Sequence, residues 1–197
     1  MDGNATEQNE FARLVVLACH DLRTPLATVR GFTQTLVRLE QLEEPASRYL
    51  EMIDAASGQI GDLIDELSLA ARIEEGRYDP LRVELDTLEL ARVAAEKLGP
   101  ERVEIAGQGA GVEVDAEATK RAVTALARCA LRHGGLEQVM LTADGPRLEV
   151  VPVTAAAAPV LLGEDLRDLG AAVAVRQLRA QGGSVELDGE RLIVALA

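Results

Sequence analysis

The sequence predicts an α + α/β protein, a helical hairpin that pairs into a dimeric four-helix bundle and is followed by an α/β sandwich. Three observations predict it. Two apolar stripes at alternating four- and three-residue steps run through residues 9–75. Helix and strand signals then alternate from residue 81, with Asp-Gly turn signals at 144–145 and 188–189. Aromatic residues make up only 2% of the chain and Trp is missing, so its 48% hydrophobic content must form a core of Leu, Val, Ile and Ala.

Residues 1–8 are polar and read as frayed. A first helix is expected from about Asn9 to Leu42. Its stripe is Val15, Cys19, Leu22, Leu26, Val29 and Leu36, with Thr33 the one polar member. Pro25 lies inside it and frees the carbonyl of Asp21, which predicts a bend just after His20. Residues 43–47 read as a tight connection, with Pro45 near the first turn of the next helix. That helix carries Tyr49, Ile53, Ala56, Ile60, Leu63, Leu67 and Ala70 on one side and fades near Glu75-Gly76. A lone hairpin leaves such seams wet. Pairing two hairpins about a two-fold axis buries them, so burial alone predicts a homodimer.

The sequence divides into a helical hairpin at 1–76, a linker at 77–82 around Pro80, and a second domain at 83–197. In the second domain, Leu81–Leu85 reads as a strand and Asp86–Leu98 as a helix capped by Asp86 or Thr87. Arg102–Ala106 is a short strand. Asp115 caps a helix reaching Arg132, with Ala122, Leu126, Cys129 and Ala130 inward. Gln138–Thr142 and Arg147–Val153 form a hairpin around Asp144-Gly145. A helix from Asp165 to Ala180 ends at Gly182-Gly183, and Ser184–Leu187 with Arg191–Leu196 close the domain around Asp188-Gly189. Three helices on a mostly antiparallel sheet give the sandwich.

Charge excludes some partners. A formal net charge of −13 argues against nucleic acid and against an anionic membrane surface. No apolar run reaches the roughly 18 residues that a bilayer span needs, and no signal-peptide pattern precedes residue 20. Cys19 and Cys129 sit in apolar helical patterns without metal-ligand spacing and read as reduced core residues of a cytoplasmic protein.

The chemistry centres on His20, which lies beside the first stripe and so faces solvent. Asp21 is close enough to hydrogen-bond one ring nitrogen, and Thr24, Ala27 and Gly31 share the face of His20. An exposed, oriented imidazole among small residues suits a phosphoryl acceptor. His20-Asp-Leu-Arg-Thr-Pro-Leu26 resembles the phosphoacceptor box of sensor histidine kinases, contiguous over seven residues and on a predicted helix. Residues 9–75 resemble the dimerisation and phosphotransfer domain of that family throughout. The later elements resemble its ATP-binding domain, of the GHKL/Bergerat type, most clearly in Gln181-Gly182-Gly183 with the closing hairpin and in Asp115–Arg121.

Against that resemblance, the nucleotide boxes are degenerate. The asparagine box, Asn-Leu-Leu-x-Asn-Ala, aligns with Ala125-Leu-Ala-Arg-Cys129-Ala, so both asparagines are gone and a buried thiol stands where a magnesium ligand belongs. The adenine box, Asp-x-Gly-x-Gly, gives way to Pro152–Val160, which has neither acid nor glycine. The next glycine box aligns with Asp168-Leu-Gly170-Ala-Ala172, which keeps one glycine and adds a carboxylate near the phosphates. The segment between Val153 and the Asp165 helix is too short for a lid over ATP. No residue is therefore assigned to a cofactor or a metal, and ATP binding is not expected.

What the resemblance implies is a two-component protein that relays phosphoryl groups between receiver aspartates through His20, without kinase activity of its own. Dimeric ChpT-type phosphotransferases have this architecture, although their acceptor segment differs. His20 would be the acceptor, Asp21 would hold one ring N–H, and Thr24 would position a water for receiver phosphatase action. Free imidazole has a pKa near about 6.5 and is mostly neutral at pH 7, as a nucleophile must be. Receiver domains, which bring their own magnesium, would dock on Arg23, Ala27, Arg30, Gly31 and Gln34, and an upstream hybrid histidine kinase would feed the relay. Two other readings use the same residues: a divergent active histidine kinase, and a pseudokinase scaffold indifferent to His20. His133 reads as a C-terminal cap contact, and Glu43-Glu44 and Glu74-Glu75 as solvated helix ends.

Overall fold

The computed structural model describes residues 2–38 and 44–196, with side chains described for 12–38 and 44–196. The expected helix end at Leu42 and the side chain of Glu43 lie outside the described residues. The chain forms two compact units, Met1–Arg77 and Tyr78–Ala197.

The first unit is a helical hairpin. Helix α1 spans Asp2–Arg38 and α2 spans Ala46–Glu74. The residues expected to fray are helical from Asp2. The helix continues through Pro25 without interruption. At the other end, the amide of Tyr49 donates to the carbonyl of Pro45, which sits at the cap of α2.

Small residues let the two helices approach. Among the described side chains, Ala12, Cys19 and Thr33 of α1, with Ser57, Ile64, Ser68, Leu69 and Ala71 of α2, are the buried positions. A Cβ at Gly61 would stand 3.7 Å from Leu26 Cδ2. Much of each stripe stays exposed on the single chain, including Leu22, Val29 and Leu36 on α1 and Ile53, Ile60, Leu63 and Leu67 on α2.

The second unit opens with β1 (Arg82–Asp86), α3 (Thr87–Leu98), β2 (Val103–Gly109) and β3 (Gly111–Asp115). Next come α4 (Ala116–Gly134), β4 (Val139–Gly145) and β5 (Arg147–Val151). The chain closes with α5 (Ala158–Leu161), α6 (Leu169–Ala180), β6 (Ser184–Asp188) and β7 (Arg191–Ala195). Five strands make one sheet in the order β2-β4-β5-β7-β6, parallel only between β2 and β4. A separate antiparallel ribbon joins β1 to β3. Leu126, Leu141, Leu148, Leu161, Leu178 and Leu192 are fully enclosed in one core, each worth about 1.5–3 kcal/mol of burial. Asp86 caps α3 by accepting from the Leu88 amide at 2.7 Å, and Asp115 caps α4 by accepting from Ala118 at 3.1 Å.

Several expected boundaries move. Asp144 pairs with Arg147 and Asp188 with Arg191, so each aspartate joins its strand opposite an arginine. The two-residue loops are therefore Gly145-Pro146 and Gly189-Glu190, each entered by a glycine of positive φ, +57° and +60°. Strand β5 stops at Val151 because Pro152 has no amide to donate. The strand β3 and the short helix α5 have no counterpart in the sequence reading. Helix α6 begins at Leu169, four residues later than expected, because Asp168 is extended and its carboxylate accepts from the Ala171 amide at 3.0 Å.

Candidate functional site

Helix α1 carries the expected acceptor on an open surface. The side chain of His20 is 77% exposed, and its Nδ1 lies 3.2 Å from Asp21 Oδ1. That contact suits the tautomer in which Nδ1–H donates to the carboxylate, which makes Nε2 the nitrogen available to an incoming group. One residue earlier, Cys19 is buried in the hairpin. Burial raises its thiol pKa, the Arg23 guanidinium opposes the rise and Asp65 adds to it.

Thr24 stands one turn beyond His20, exposed, and its carbonyl accepts from Thr28 Oγ1. The remaining surface residues divide into two kinds. Ala27 and Gly31 are exposed, and a Cβ at Gly31 would meet nothing within 4 Å. Arg23, Arg30 and Gln34 reach across to α2. Arg23 donates to Asp65 Oδ1 at 2.7 and 3.1 Å, while Arg30 and Gln34 share Asp54 Oδ1 at 3.6 and 3.2 Å.

The structure adds neighbours that the sequence reading missed. Arg13, Val16, Leu17, His20, Glu75 and Arg77 line an open hollow of about 290 Å³. Glu75, expected to be a solvated helix end, has a side chain only 2% exposed. Its carboxylate lies 3.9 Å from Arg13 and 3.6 Å from Arg77, and two guanidiniums explain how an acid is retained there. Arg13 sits seven residues before His20, two helical turns away on the same face, a spacing that could have marked it.

In the second unit, the positions expected to differ from a nucleotide site are engaged in the fold. Cys129 is fully buried on α4. His133 Nε2 lies 3.2 Å from Asp168 Oδ2, so His133 bonds the cap of α6 and not the end of its own helix. Asp168 uses one carboxylate oxygen for the Ala171 amide and the other for His133. The ligand atoms of Cys129, His133 and Asp168 all lie within 4.8 Å of one another. Burial pushes the Cys129 thiol up to about 12, with the Asp168 carboxylate adding and Arg132 opposing. The four-residue step from Cys129 to His133 was the available signal. Asp168 could not be joined to it without the packing of α4 on α6.

The Gln181-Gly182-Gly183 stretch is explained by the fold. Gln181 Oε1 accepts from the Asp115 amide at 2.6 Å and Nε2 donates to Thr119 Oγ1 at 3.2 Å. Gly182 has φ +93°, and a Cβ at Gly183 would come within 2.5 Å of the Ala195 carbonyl oxygen.

Residues 13–76 match the family model of the His Kinase A (phospho-acceptor) domain. The chain is 33% identical over 110 residues to the probable sensor histidine kinase TcrY of Mycobacterium tuberculosis, covering 50% of this chain and 23% of that protein. It is 31% identical over 173 residues to the histidine protein kinase DivJ of Caulobacter vibrioides, covering 81% of this chain and 28% of that protein. The matches thus span about a quarter of the length of these relatives. Among solved structures, full-length ShkA in complex with AMPPNP superposes with a TM-score of 0.66 at 21% identity, covering 94% of this chain and 46% of that one. The Acinetobacter baumannii histidine kinase AdeS gives 0.55 at 15% identity, covering 89% and 94%. Both likenesses bear on the fold, a helical hairpin followed by an ATPase-like α/β unit. Among the described residues, no helix is long and apolar enough to cross a membrane.

Proposed function

The chain is histidine kinase-like, and from that premise we propose that it is a cytoplasmic, homodimeric phosphotransferase that relays phosphoryl groups through His20 without ATP-dependent kinase activity. The observation that carries the reading is the contrast between two histidines. His20 is open, with Nδ1 turned to a carboxylate. His133 is bonded to Asp168 and follows a buried Cys129, on segments that the sequence aligns with the degenerate nucleotide boxes.

In the proposed step, Nε2 of neutral His20 attacks the phosphorus of a receiver aspartyl phosphate. The N–P bond forms as the P–O bond breaks, and the receiver aspartate leaves as a carboxylate. Positive charge appears on the imidazole, and the Asp21 carboxylate beside Nδ1–H stabilises it. The reverse step delivers the group to a second receiver. Magnesium would come from the receiver's acidic cluster, and Arg13 and Arg77 in the hollow beside His20 would attract the anionic group. Thr24, one turn away, would orient a water toward a docked aspartyl phosphate. ChpT-type phosphotransferases would be a functional analogy for such a relay.

Two parallel labelling reactions test the reading, one with γ-labelled ATP and magnesium, the other with a labelled phospho-receiver. Label is expected from the receiver only, and His20→Ala should remove it to background. The names of TcrY, DivJ and the AMPPNP-bound ShkA favour a second reading, an active kinase. Label entering from ATP and lost in His20→Ala would establish that reading and overturn ours. If neither source labels the protein and the receiver keeps its phosphate, the chain is a scaffold.

A further inference from the structure

We propose that Cys129, His133 and Asp168 form a binding site for a zinc ion, joining the last turns of α4 to the first turn of α6. The inference is independent of phosphotransfer through His20. A four-residue step on a helix places two side chains one above the other on a single face, so Cys129 and His133 present sulfur and nitrogen to the same point. Asp168 brings a carboxylate oxygen to that point from the neighbouring helix, and its fixed role at the cap holds it there.

Spacing suits one ion. Zinc binds sulfur at about 2.3 Å and nitrogen or oxygen at about 2.0–2.2 Å in a tetrahedron, so ligand atoms of one ion lie roughly 3.2–3.8 Å apart. His133 and Asp168 are 3.2 Å apart, and all three ligand atoms lie within 4.8 Å, a gap that side-chain torsions close. The donor set decides the metal. Thiolate, imidazole and carboxylate together suit zinc, whereas magnesium requires a near-octahedral shell of oxygens. On binding, the metal takes the place of the thiol proton, which passes to solvent, and of the proton shared by His133 and Asp168. His133 and Asp168 keep side-chain exposures of 17% and 13%, which leaves the ion an approach and a fourth position for water.

The test uses the tag-free full chain, stripped with a chelator and titrated with Co²⁺ as a spectroscopic probe, then with Zn²⁺ against a chromophoric chelator. One equivalent should bind per chain with a thiolate-to-cobalt charge-transfer band and the intense visible bands of tetrahedral cobalt. Cys129→Ser should abolish the charge-transfer band. Both Cys129→Ser and Asp168→Asn should weaken zinc binding by more than about 100-fold, beyond the range typical of outer-shell partners. Asparagine remains a good helix cap, so Asp168→Asn keeps the fold and isolates the ligand. Zinc should raise the melting temperature of the wild type and leave that of Asp168→Asn unchanged. Excess magnesium should displace nothing. Absence of the thiolate band, its loss in Cys19→Ser, or equal zinc affinity in Asp168→Asn and wild type would overturn the site.

Discussion

Burial of Cys129 predicts a stability that depends on alkaline pH. Its thiol is pushed from about 9 up to about 12, chiefly by burial. In metal-free protein this shift keeps Cys129 protonated at pH 8, so alkylation of the native thiol should be very slow and become complete on unfolding. The same shift sets a stability trend. Between about pH 9 and 12 the unfolded thiol has lost its proton and the folded one retains it. The folded state then binds more protons, and stability falls as pH rises. Cys129→Ala should flatten that slope in melting experiments, and an unchanged slope would place the titrating group elsewhere. The sequence alone placed Cys129 in the core, because it continues the Ala122, Leu126 and Ala130 face. It could not show His133 and Asp168 beside it, since that meeting depends on how α4 packs against α6.

Glycines separate the elements that tolerate change from those that do not. Gly107 lies in β2 at φ +89°, and a Cβ there would collide with the backbone carbonyl of Ala143 in the paired strand β4. Gly107→Ala should cost about 2 kcal/mol or more, read as a lowered denaturation midpoint. Gly58 sits inside α2, and a methyl group there would meet nothing within 4 Å, so Gly58→Ala should gain about 0.5–1 kcal/mol. The docking face on α1 can be tested in the same way. A Gly31→Leu side chain has room on the chain itself, and Arg30→Glu reverses a charge that now faces Asp54. Together they should slow transfer from a phospho-receiver at least about tenfold while leaving the helical content intact. Unchanged rates would move docking elsewhere. The periodic helices, and the Asp86 and Asp115 caps of α3 and α4, were legible in the sequence because spacing and Asp signals are local, whereas the Asp168 cap of α6 was misplaced by nearby Asp165. The short strand β3, the helix α5 and the hairpin loops were not legible, because their boundaries depend on cross-strand partners such as Asp144 with Arg147.

The first unit leaves Leu22, Val29, Ile53, Ile60 and Leu63 all at least 43% exposed, a large apolar surface for one hairpin. Pairing with a second copy would cover it, as four-helix bundles do. Ile53→Asp with Leu63→Asp should convert the dimer to monomer in light scattering, and a wild-type monomer at micromolar concentration would contradict the proposed assembly. The histidine box and the two-part architecture were readable because they are contiguous motifs and repeated patterns. The near-burial of Glu75 between Arg13 and Arg77 was not, since it joins the start of one helix to the end of the other. In the second unit, Ala157, Val160 and Leu161 of the stretch around α5 are all fully enclosed. Peeling that stretch away would expose them to water at about 3–6 kcal/mol, leaving the open form at roughly one part in 150 to one in 25,000. That stretch should therefore stay closed unless a partner bound to the open form supplies free energy of about that size.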